Sequence, residues 1–233
     1  MSAFFAPPRY RGTELLDDPR GDSALALRSL QDIRSANRLF GGRDAVLAEL
    51  RPAFGTPAAA RTLTLLDVGT GAGDIPAAAR GLASAMGIAL RTTGLERTVA
   101  LAAAAAPLCG DAVAGDALDL PFADRSVDVV TCSQVLHHFA DAEAALLLRE
   151  MHRVARVRVI VGDLRRSWFA AAGLWLASWP LGFHPVSRRD GVVSVMRGYR
   201  GTELRELVRN ATGANPTVRD RPGFRVTASW IPA

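Results

Sequence analysis

The chain has 233 residues, of which 49% are hydrophobic and 22% are charged, with 21 glycines and 13 prolines. This composition is typical of a globular protein and excludes a disordered chain, a collagen and a disulfide-rich miniprotein. The two cysteines, Cys109 and Cys132, lack the spacing of zinc ligands, so we expect neither a thiolate metal site nor a disulfide framework.

The formal net charge is +5, and all 28 basic residues are arginines spread along the sequence. Nucleic-acid-binding proteins typically carry basic runs interleaved with aromatic residues, so we expect no nucleic-acid partner. No secretion signal is recognisable, and the longest apolar stretch, 168–183, is interrupted by Pro180 and too short to span a bilayer. We therefore expect a cytoplasmic protein without stable membrane insertion, and peripheral membrane association stays open.

The N-terminal part of the chain predicts helices. Apolar residues at three- and four-residue steps indicate an amphipathic helix over 22–40. A glycine pair then ends this helix, and a second helix is expected over 43–50, ending before Pro52. We interpret residues 1–52 as a helical cap.

Strand and helix patterns alternate between residues 53 and 165. Short apolar, β-branched runs predict strands at 62–68, 89–95, 113–115, 127–132 and 157–161. The segments between them predict helices at 76–86, 98–106 and 142–154. This alternation predicts an α/β fold with a doubly wound, mostly parallel seven-stranded sheet.

The alternation stops after Asp163. Residues 166–201 are rich in Trp, Leu, Gly and Arg, and we interpret them as an inserted lid over the carboxyl edge of the sheet. Residues 202–233 are expected to complete the sheet, with a helix at 202–210 and a last strand at 223–230.

The most informative segment is the glycine-rich turn LLDVGTGAGD, residues 65–74, between a buried strand and a helix. Ligands of open α/β sheets bind outside the carboxyl ends of the strands, where the strand order reverses. The glycines are spaced GxGxG, not GxGxxG as in dinucleotide-binding proteins, and Asp74 would compete with a pyrophosphate for the helix N-terminus. A ligand with a cation or an amine fits better, and a tight turn without any ligand is the simpler alternative.

This segment resembles motif I of the class I, Rossmann-like S-adenosylmethionine-dependent methyltransferases, in particular a branch active on small molecules and in quinone biosynthesis. Further signals follow in that family's order over roughly 63–163. The resemblance implies S-adenosylmethionine as the cofactor, with Glu96 on its ribose hydroxyls and Asp116 on its adenine amine. Taken alone, Glu96 could be a solvated loop charge and Asp116 an Asx turn.

The resemblance implies further cofactor contacts around these two acids. The implied residues follow the strands, and they are Asp67, Gly69, Thr70, Gly71, Gly73, Arg97, Ala117, Leu118, Ser133 and Gln134. Arg38 in the N-terminal cap is a candidate for the carboxylate of the methionine moiety, although a solvated arginine at the end of a helix is the simpler interpretation.

The pair His137-His138 is the candidate for catalysis. It follows the fourth predicted strand, while Asp163 ends the fifth, so neighbouring strand tips could bring a histidine and the aspartate together. Small-molecule O-methyltransferases that this chain resembles often use such a pair, which implies His137, or else His138, as the base and Asp163 as its orienting partner. Histidines packed for structure alone are the alternative.

These residues predict methyl transfer to a small apolar acceptor, with a phenolic, quinone or polyketide-type hydroxyl preferred. C- or N-methylation on the same fold stays an alternative, as does a non-catalytic protein that binds the cofactor for a partner. No metal is expected, because a sulfonium methyl is already activated and transfer depends mainly on positioning. The oligomeric state stays open between monomer and homodimer.

Overall fold

Seven strands form one sheet in the order β3-β2-β1-β4-β5-β7-β6. The computed structural model describes residues 7–15, 23–55 and 62–233. The strands are β1 Leu63–Val68, β2 Leu90–Glu96, β3 Asp111–Ala114, β4 Val127–Ser133, β5 Ala155–Leu164, β6 Thr217–Arg221 and β7 Arg225–Trp230. The helices are α1 Ser23–Leu39, α2 Gly42–Phe54, α3 Asp74–Ala85, α4 Val99–Cys109, α5 Asp141–Val154, α6 Trp168–Ser178, α7 Pro185–Arg197 and α8 Gly201–Thr212.

Strands β1 to β5 pair in parallel, and β7 pairs antiparallel with both β5 and β6. The α/β fold with a mostly parallel seven-stranded sheet is therefore confirmed. Chain order runs outward from β1 to β3 on one side and from β4 on the other, so the order reverses between β1 and β4. In this class of sheet a ligand cleft opens at that reversal, beyond the carboxyl ends of the strands.

Helices cover both faces of the sheet, which explains why the central strands are almost continuously apolar. On one face, Leu66 and Val68 of β1 belong to a core that includes buried residues of α5 and α8. On the other face, Leu63 and Leu65 pack with buried residues of α2 and α3. This burial fixes the strand tips, and with them the loops that follow.

Two predicted helix ends are wrong. Helix α2 continues through Pro52 to Phe54, and α4 continues through Pro107 to Cys109. Each proline lies in the last turn, where it removes only a backbone hydrogen bond near the end of the helix. The residues beyond it are buried, as Phe54 and Cys109 are, and their packing outweighs that loss.

Three elements have no counterpart in the sequence-based assignment, namely α6, α7 and β6. Helix α6 is apolar on every side, α7 mixes polar and apolar residues without a clear period, and β6 is a short, highly charged edge strand. The division of the chain at residues 52, 165 and 201 stays a prediction. Within the described parts of the chain, no helix combines the length and the apolar character needed to cross a bilayer.

Candidate active site

The turn between β1 and α3 depends on glycine at two positions. Gly69 has a φ of +69°, and a Cβ there would lie 2.5 Å from a methyl group of Val135. Gly73 has a φ of +76°, and a Cβ there would lie 2.9 Å from the sulfur of Cys109. Side chains other than hydrogen are disfavoured at both positions. Gly69 therefore allows the turn, whereas Gly73 allows close packing of α3 on α4.

A cavity of about 620 Å³ lies at the carboxyl ends of β1, β2 and β4, and residues of α1 form part of its wall. Ten of the thirteen residues predicted to bind the cofactor line this single cavity. They follow four different strands and are Asp67, Gly69, Thr70, Gly71, Glu96, Arg97, Asp116, Ala117, Ser133 and Gln134. The strand tips thus bring together residues that are far apart in the sequence.

The other three predicted residues are not part of the cavity lining. Gly73 packs against α4, and Leu118 donates its backbone N–H to Asp116 and packs beside the core. Arg38 is exposed at the end of α1, and it is Arg34, one turn earlier, that lines the cavity. Arg34 and Arg38 are four residues apart and therefore lie on one face of α1, about 6 Å apart along its axis. The sequence did not fix which turn of this face lies beside the cavity.

The backbone of the glycine turn is bound by a carboxylate. Gly71 N–H donates to Glu96 Oε1 over 2.5 Å, and Arg97 N–H approaches Glu96 Oε2 at 3.3 Å. Asp116 forms an Asx turn, in which its Oδ1 accepts from Leu118 N–H over 2.8 Å. The turn amide that a pyrophosphate would use is therefore already paired with an anion, which disfavours a dinucleotide.

The cavity wall is acidic. Burial raises the pKa of Asp67 from an ordinary 3.8 to about 7, although the hydroxyls of Thr70 and Thr131 donate to it at 2.8 and 2.7 Å. Burial also raises the pKa of Asp74 and of Glu96. Desolvated carboxylates gathered in one cavity favour a positively charged ligand, because such a ligand offsets the cost of keeping them ionised.

Gln134 follows β4 and connects two other segments of the chain at the cavity wall. It has a φ of +55°, which is uncommon for a residue with a side chain. Its side-chain amide donates to Asn37 of α1, and its oxygen accepts from Arg225 at 2.7 Å. Next to it, Ser133 Oγ is buried without a hydrogen-bond partner among the described residues. A bound ligand could satisfy this hydroxyl.

A second, smaller cavity of about 170 Å³ adjoins the first, and the two share Ile33, Gln134 and His138 in their walls. Much of its lining surface is apolar and comes from Leu164 at the end of β5 and from the segment that follows, including Leu174 and Phe183. Two adjacent cavities with a shared wall can hold two ligands next to each other.

His137 lies in the wall of the smaller cavity, in a single 3-10 turn over Leu136–His138, and Asp163 lies behind it. His137 Nδ1 is 2.6 Å from Asp163 Oδ1, and the backbone N–H of His137 donates to Asp163 Oδ2 at 3.1 Å. Burial alone would raise the pKa of Asp163, but the charge and the hydrogen bond of His137 lower it below its ordinary value. An ionised carboxylate only accepts, so Nδ1 carries a proton, and in the neutral form of the ring Nε2 is the acceptor nitrogen.

The two histidines differ in their surroundings. His137 is 2% exposed, and its Nε2 has no hydrogen-bond partner among the described residues. His138 is half-buried and lines both cavities. The structure thus brings His137, and not His138, into hydrogen-bond contact with Asp163.

Sequence reasoning missed two residues here, Glu14 and Arg197. Glu14 is buried, with its Oε1 3.7 Å from His137 Nε2 and 3.5 Å from Arg197 Nη1. Arg197 also donates to the backbone oxygens of both histidines and so holds the 3-10 turn. Neither residue lies in a motif, so only the tertiary fold could identify them.

Glu14, His137 and His138 also form a group that could hold a metal ion, since one ligand atom from each lies within 4.8 Å of the others. The guanidinium of Arg197 already places a positive charge beside the Glu14 carboxylate. The donor set of two imidazoles and one carboxylate would suit a transition metal, but the adjacent guanidinium opposes a second cation there.

Parts of the chain are similar to known proteins. Residues 66–161 match the family described as Methyltransferase domain. A demethylmenaquinone methyltransferase of Roseiflexus sp. (strain RS-1) is 41% identical over 118 residues, which is 47% of each chain. A protein of the same name from Roseiflexus castenholzii (strain DSM 13941 / HLO8) is 37% identical over 161 residues, covering 67% of this chain and 62% of that protein. The chain thus spans about half to under two thirds of the curated relatives it matches.

Among solved structures, a SAM-dependent methyltransferase from Aquifex aeolicus superposes with a TM-score of 0.62 at 17% identity, over 89% of this chain and 98% of that one. The strand order and the cavity at its reversal define a Rossmann-like α/β fold. More narrowly, residues 66–161 match a methyltransferase domain, and the fold of the chain is that of the class I S-adenosylmethionine-dependent methyltransferases.

Proposed function

We propose that this chain transfers a methyl group from S-adenosylmethionine to a small, apolar acceptor, and that a hydroxyl oxygen of the acceptor receives it. The observation that carries this proposal is the pair of adjacent cavities. One is acidic and lined by the predicted cofactor residues, the other is largely apolar, and His137 lies in the wall of the second, backed by Asp163.

The larger cavity fits the cofactor by its chemistry. Glu96 would accept hydrogen bonds from the ribose hydroxyls, and Asp116 would accept from the adenine amine. The acidic wall that includes Asp67 and Asp74 favours a ligand with a sulfonium and an ammonium group over one with a pyrophosphate. When bound, the cofactor supplies an activated methyl group.

His137 would act as the general base. Its Nε2 is the acceptor nitrogen, because Nδ1 donates to Asp163. Removing the hydroxyl proton would produce an imidazolium, which the buried Asp163 carboxylate stabilises while it holds the ring in place. A histidine suits this task because its pKa lies near the operating pH. The apolar wall from Leu164, Leu174 and Phe183 would bind an aromatic or lipid-like acceptor.

The names of the two relatives favour a quinone-type acceptor. C-methylation is the second candidate reaction. Removing a phenolic proton leaves a phenolate whose charge is shared between the oxygen and the ring carbons, so the same base serves methylation at either atom. Both reactions need His137 in the same place.

The first experiment measures cofactor binding. Isothermal titration of the protein with S-adenosylhomocysteine should show binding, and Glu96→Ala should weaken it by about tenfold to a hundredfold, as expected for loss of a charged hydrogen-bond acceptor. Glu206→Ala, an exposed carboxylate on α8, is the matched control and should bind like wild type. Absence of binding by wild type contradicts the proposal.

The second experiment identifies the acceptor and the methylated atom. The protein is incubated with S-adenosylmethionine and a panel of reduced quinones, phenols and polyketide-type phenols, and methylated products are detected by mass spectrometry. NMR of each product then separates O-methyl from C-methyl. We expect an O-methyl product, and a C-methyl product alone would replace the first candidate by the second.

A further inference from the structure

Helix α6 and the turn that follows it expose apolar side chains to solvent. Helix α6 carries no charged residue. Its outer surface and the next turn expose Leu176 by 70%, Phe169 by 63% and Trp168 by 59% of their areas, together with Trp175, Trp179 and Leu181. We call these six residues the α6 apolar face. Single exposed apolar residues are ordinary, but six between positions 168 and 181 are characteristic of a binding surface.

The opposite side of α6 faces the inside of the protein. Ala171 and Ser178 are buried, and Leu174 lines the smaller cavity beside α7. The helix is therefore a thin wall, with the cavity that we assign to the acceptor on one side and the apolar face on the other.

The charges around this face are positive. Residues 164–189 contain four arginines and no acidic residue. Two of the arginines, Arg165 and Arg166, pair with Asp220 and Glu203. Arg189, 53% exposed, pairs with Asp190 at 3.3 Å. At the edge of the apolar face, the guanidinium of Arg188 lies 4.0 Å above the ring of Trp179.

Exposed tryptophans with arginines beside them are typical of protein surfaces at a lipid headgroup layer, where the rings meet the acyl boundary and the cations meet phosphate. A helix of 11 residues is about 16 Å long, half the ~30 Å hydrocarbon core, so it can lie in the interface and not across it. Three of the four arginines are paired within the chain, and Arg188 beside Trp179 is the cation that an anionic phospholipid headgroup would meet.

We propose that the α6 apolar face docks on an anionic phospholipid bilayer. Docking there places the smaller cavity one helix away from the membrane, so a lipid-like acceptor could pass between the two without crossing water. This second part rests on the proposed function, whereas docking itself does not.

Vesicle flotation tests the docking. Wild type is mixed with vesicles of phosphatidylcholine and phosphatidylglycerol, or with vesicles of phosphatidylcholine alone, and floated on a density gradient. We expect wild type to float with the anionic vesicles and less with the neutral ones. The double variant Phe169→Ser/Leu176→Ser should bind anionic vesicles about tenfold less or weaker still, since two apolar side chains no longer enter the lipid. Ile231→Ser removes an equally exposed apolar side chain elsewhere and should float like wild type.

Two outcomes overturn the proposal. The first is that wild type does not float with anionic vesicles. The second is that the double variant floats as well as wild type. If wild type stays unbound but forms a dimer in light scattering that the double variant abolishes, the apolar face binds a second copy of the chain and the membrane proposal is wrong.

A further measurement separates this proposal from the proposed function. The double variant changes neither cavity lining, so it should bind S-adenosylhomocysteine like wild type and methylate an acceptor supplied in detergent at the wild-type rate. With the acceptor embedded in anionic vesicles, its rate should fall about tenfold, in step with its weaker docking. Equal rates of both proteins in vesicles contradict the delivery route. Absence of methylation by wild type in detergent contradicts the proposed function and leaves flotation unaffected.

Discussion

Two buried carboxylates, Glu49 and Asp67, lie in different halves of the sheet and differ in how far neighbouring groups neutralise their charge. Glu49 of α2 is surrounded by donors from β6 and β7, at 2.5 Å for Arg221, 2.9 Å for Arg219 and 2.7 Å for Thr227. Asp67 at the end of β1 accepts hydrogen bonds from hydroxyl groups only, and the nearby carboxylates of Asp74 and Glu96 repel its charge. The first carboxylate is neutralised by its neighbours, and the second is not.

The pKa values follow this difference. Burial raises the pKa of both groups and is the largest single cause at Glu49 too. There, however, the hydrogen bonds of Arg221 and Thr227 and the charges of Arg221 and Arg219 together outweigh it and bring the pKa below the ordinary value. At Asp67 burial dominates, and the pKa rises to about 7. The β6–β7 end of the sheet therefore contributes stability, whereas the cavity end keeps unbalanced polar groups that a ligand can use. Substitutions at the two ends should accordingly affect different measurements.

The largest expected effect is on turnover and comes from His137→Asn. The asparagine amide can still donate to Asp163, but the acceptor nitrogen of the base is lost. We expect kcat to fall by about 10²–10⁴-fold, the usual contribution of a general base, while the affinity for S-adenosylhomocysteine stays within about twofold. Steady-state kinetics and calorimetry measure the two quantities.

His152→Asn serves as the control, because His152 lies outside both cavities and contacts Trp230. It should keep wild-type turnover. Undiminished turnover of His137→Asn would remove His137 from the mechanism, and parallel losses of turnover and cofactor affinity would point to a damaged fold.

The next effect is on stability and comes from Glu49→Ala. The variant leaves the guanidinium groups of Arg219 and Arg221 without their shared carboxylate. We expect the free energy of unfolding to fall by about 3 kcal/mol, the lower end of the range observed when one partner of a buried ion pair is removed. The lower end applies because Arg219 is half exposed, so water screens part of its charge. Urea unfolding measures it, and Glu206→Ala should stay within about 0.5 kcal/mol of wild type.

The affinity of Glu49→Ala for S-adenosylhomocysteine should not change, since Glu49 lies outside the cavity. If Glu49→Ala kept its stability but lost affinity for S-adenosylhomocysteine, Glu49 would act in ligand binding and not in stability, which contradicts the comparison between the two ends of the sheet.

The pH dependence of stability distinguishes the two carboxylates by sign. Between pH ~4 and ~7 the folded protein holds a proton on Asp67 that the unfolded chain has lost, so this group lowers stability as the pH rises through that range. Glu49 acts in the opposite direction, and its contribution is lost as the pH falls below the ordinary value of 4.5.

Asp67→Asn removes the first contribution. Relative to wild type, the variant should therefore gain stability from pH ~4 to ~7, by at most about 4 kcal/mol. Urea unfolding of both proteins across this range gives the difference, in which the other titrating groups cancel. Parallel profiles would show that Asp67 is ionised like an ordinary carboxylate.

The same contrast explains which features the sequence could predict. The glycine turn, Glu96, Asp116 and the His137–Asp163 pair all follow directly after strands, and the carboxyl ends of parallel strands converge at one edge. Recognising the strands was enough to place these residues at one edge of the sheet, whereas the family resemblance selected the thirteen residues predicted to bind the cofactor, ten of which line one cavity.

What the sequence did not predict depends on contacts between distant segments. Glu14 reaches His137 from a segment without a motif. Arg34 rather than Arg38 lines the cavity because packing sets which turn of α1 lies beside it. The Glu49 cluster is assembled from one helix and two C-terminal strands, one of which was not located in advance. Such residues carry no local signal, since their types are ordinary for exposed helices and edge strands.

The smallest expected effect comes from Thr227→Val, which keeps the shape of the side chain and removes a single donor from Glu49. Arg219, Arg221 and Ser229 continue to donate, so we expect a loss of only about 1.5 kcal/mol, the lower range for a hydrogen bond to a charged group. The exposed Thr217→Val on β6 is the matched control and should leave the stability unchanged. In the Glu49→Ala background, Thr227→Val should lower the free energy of unfolding by less than in wild type, because the acceptor of the Thr227 hydroxyl is gone. Equal losses in both backgrounds would mean that Thr227 stabilises the sheet independently of Glu49.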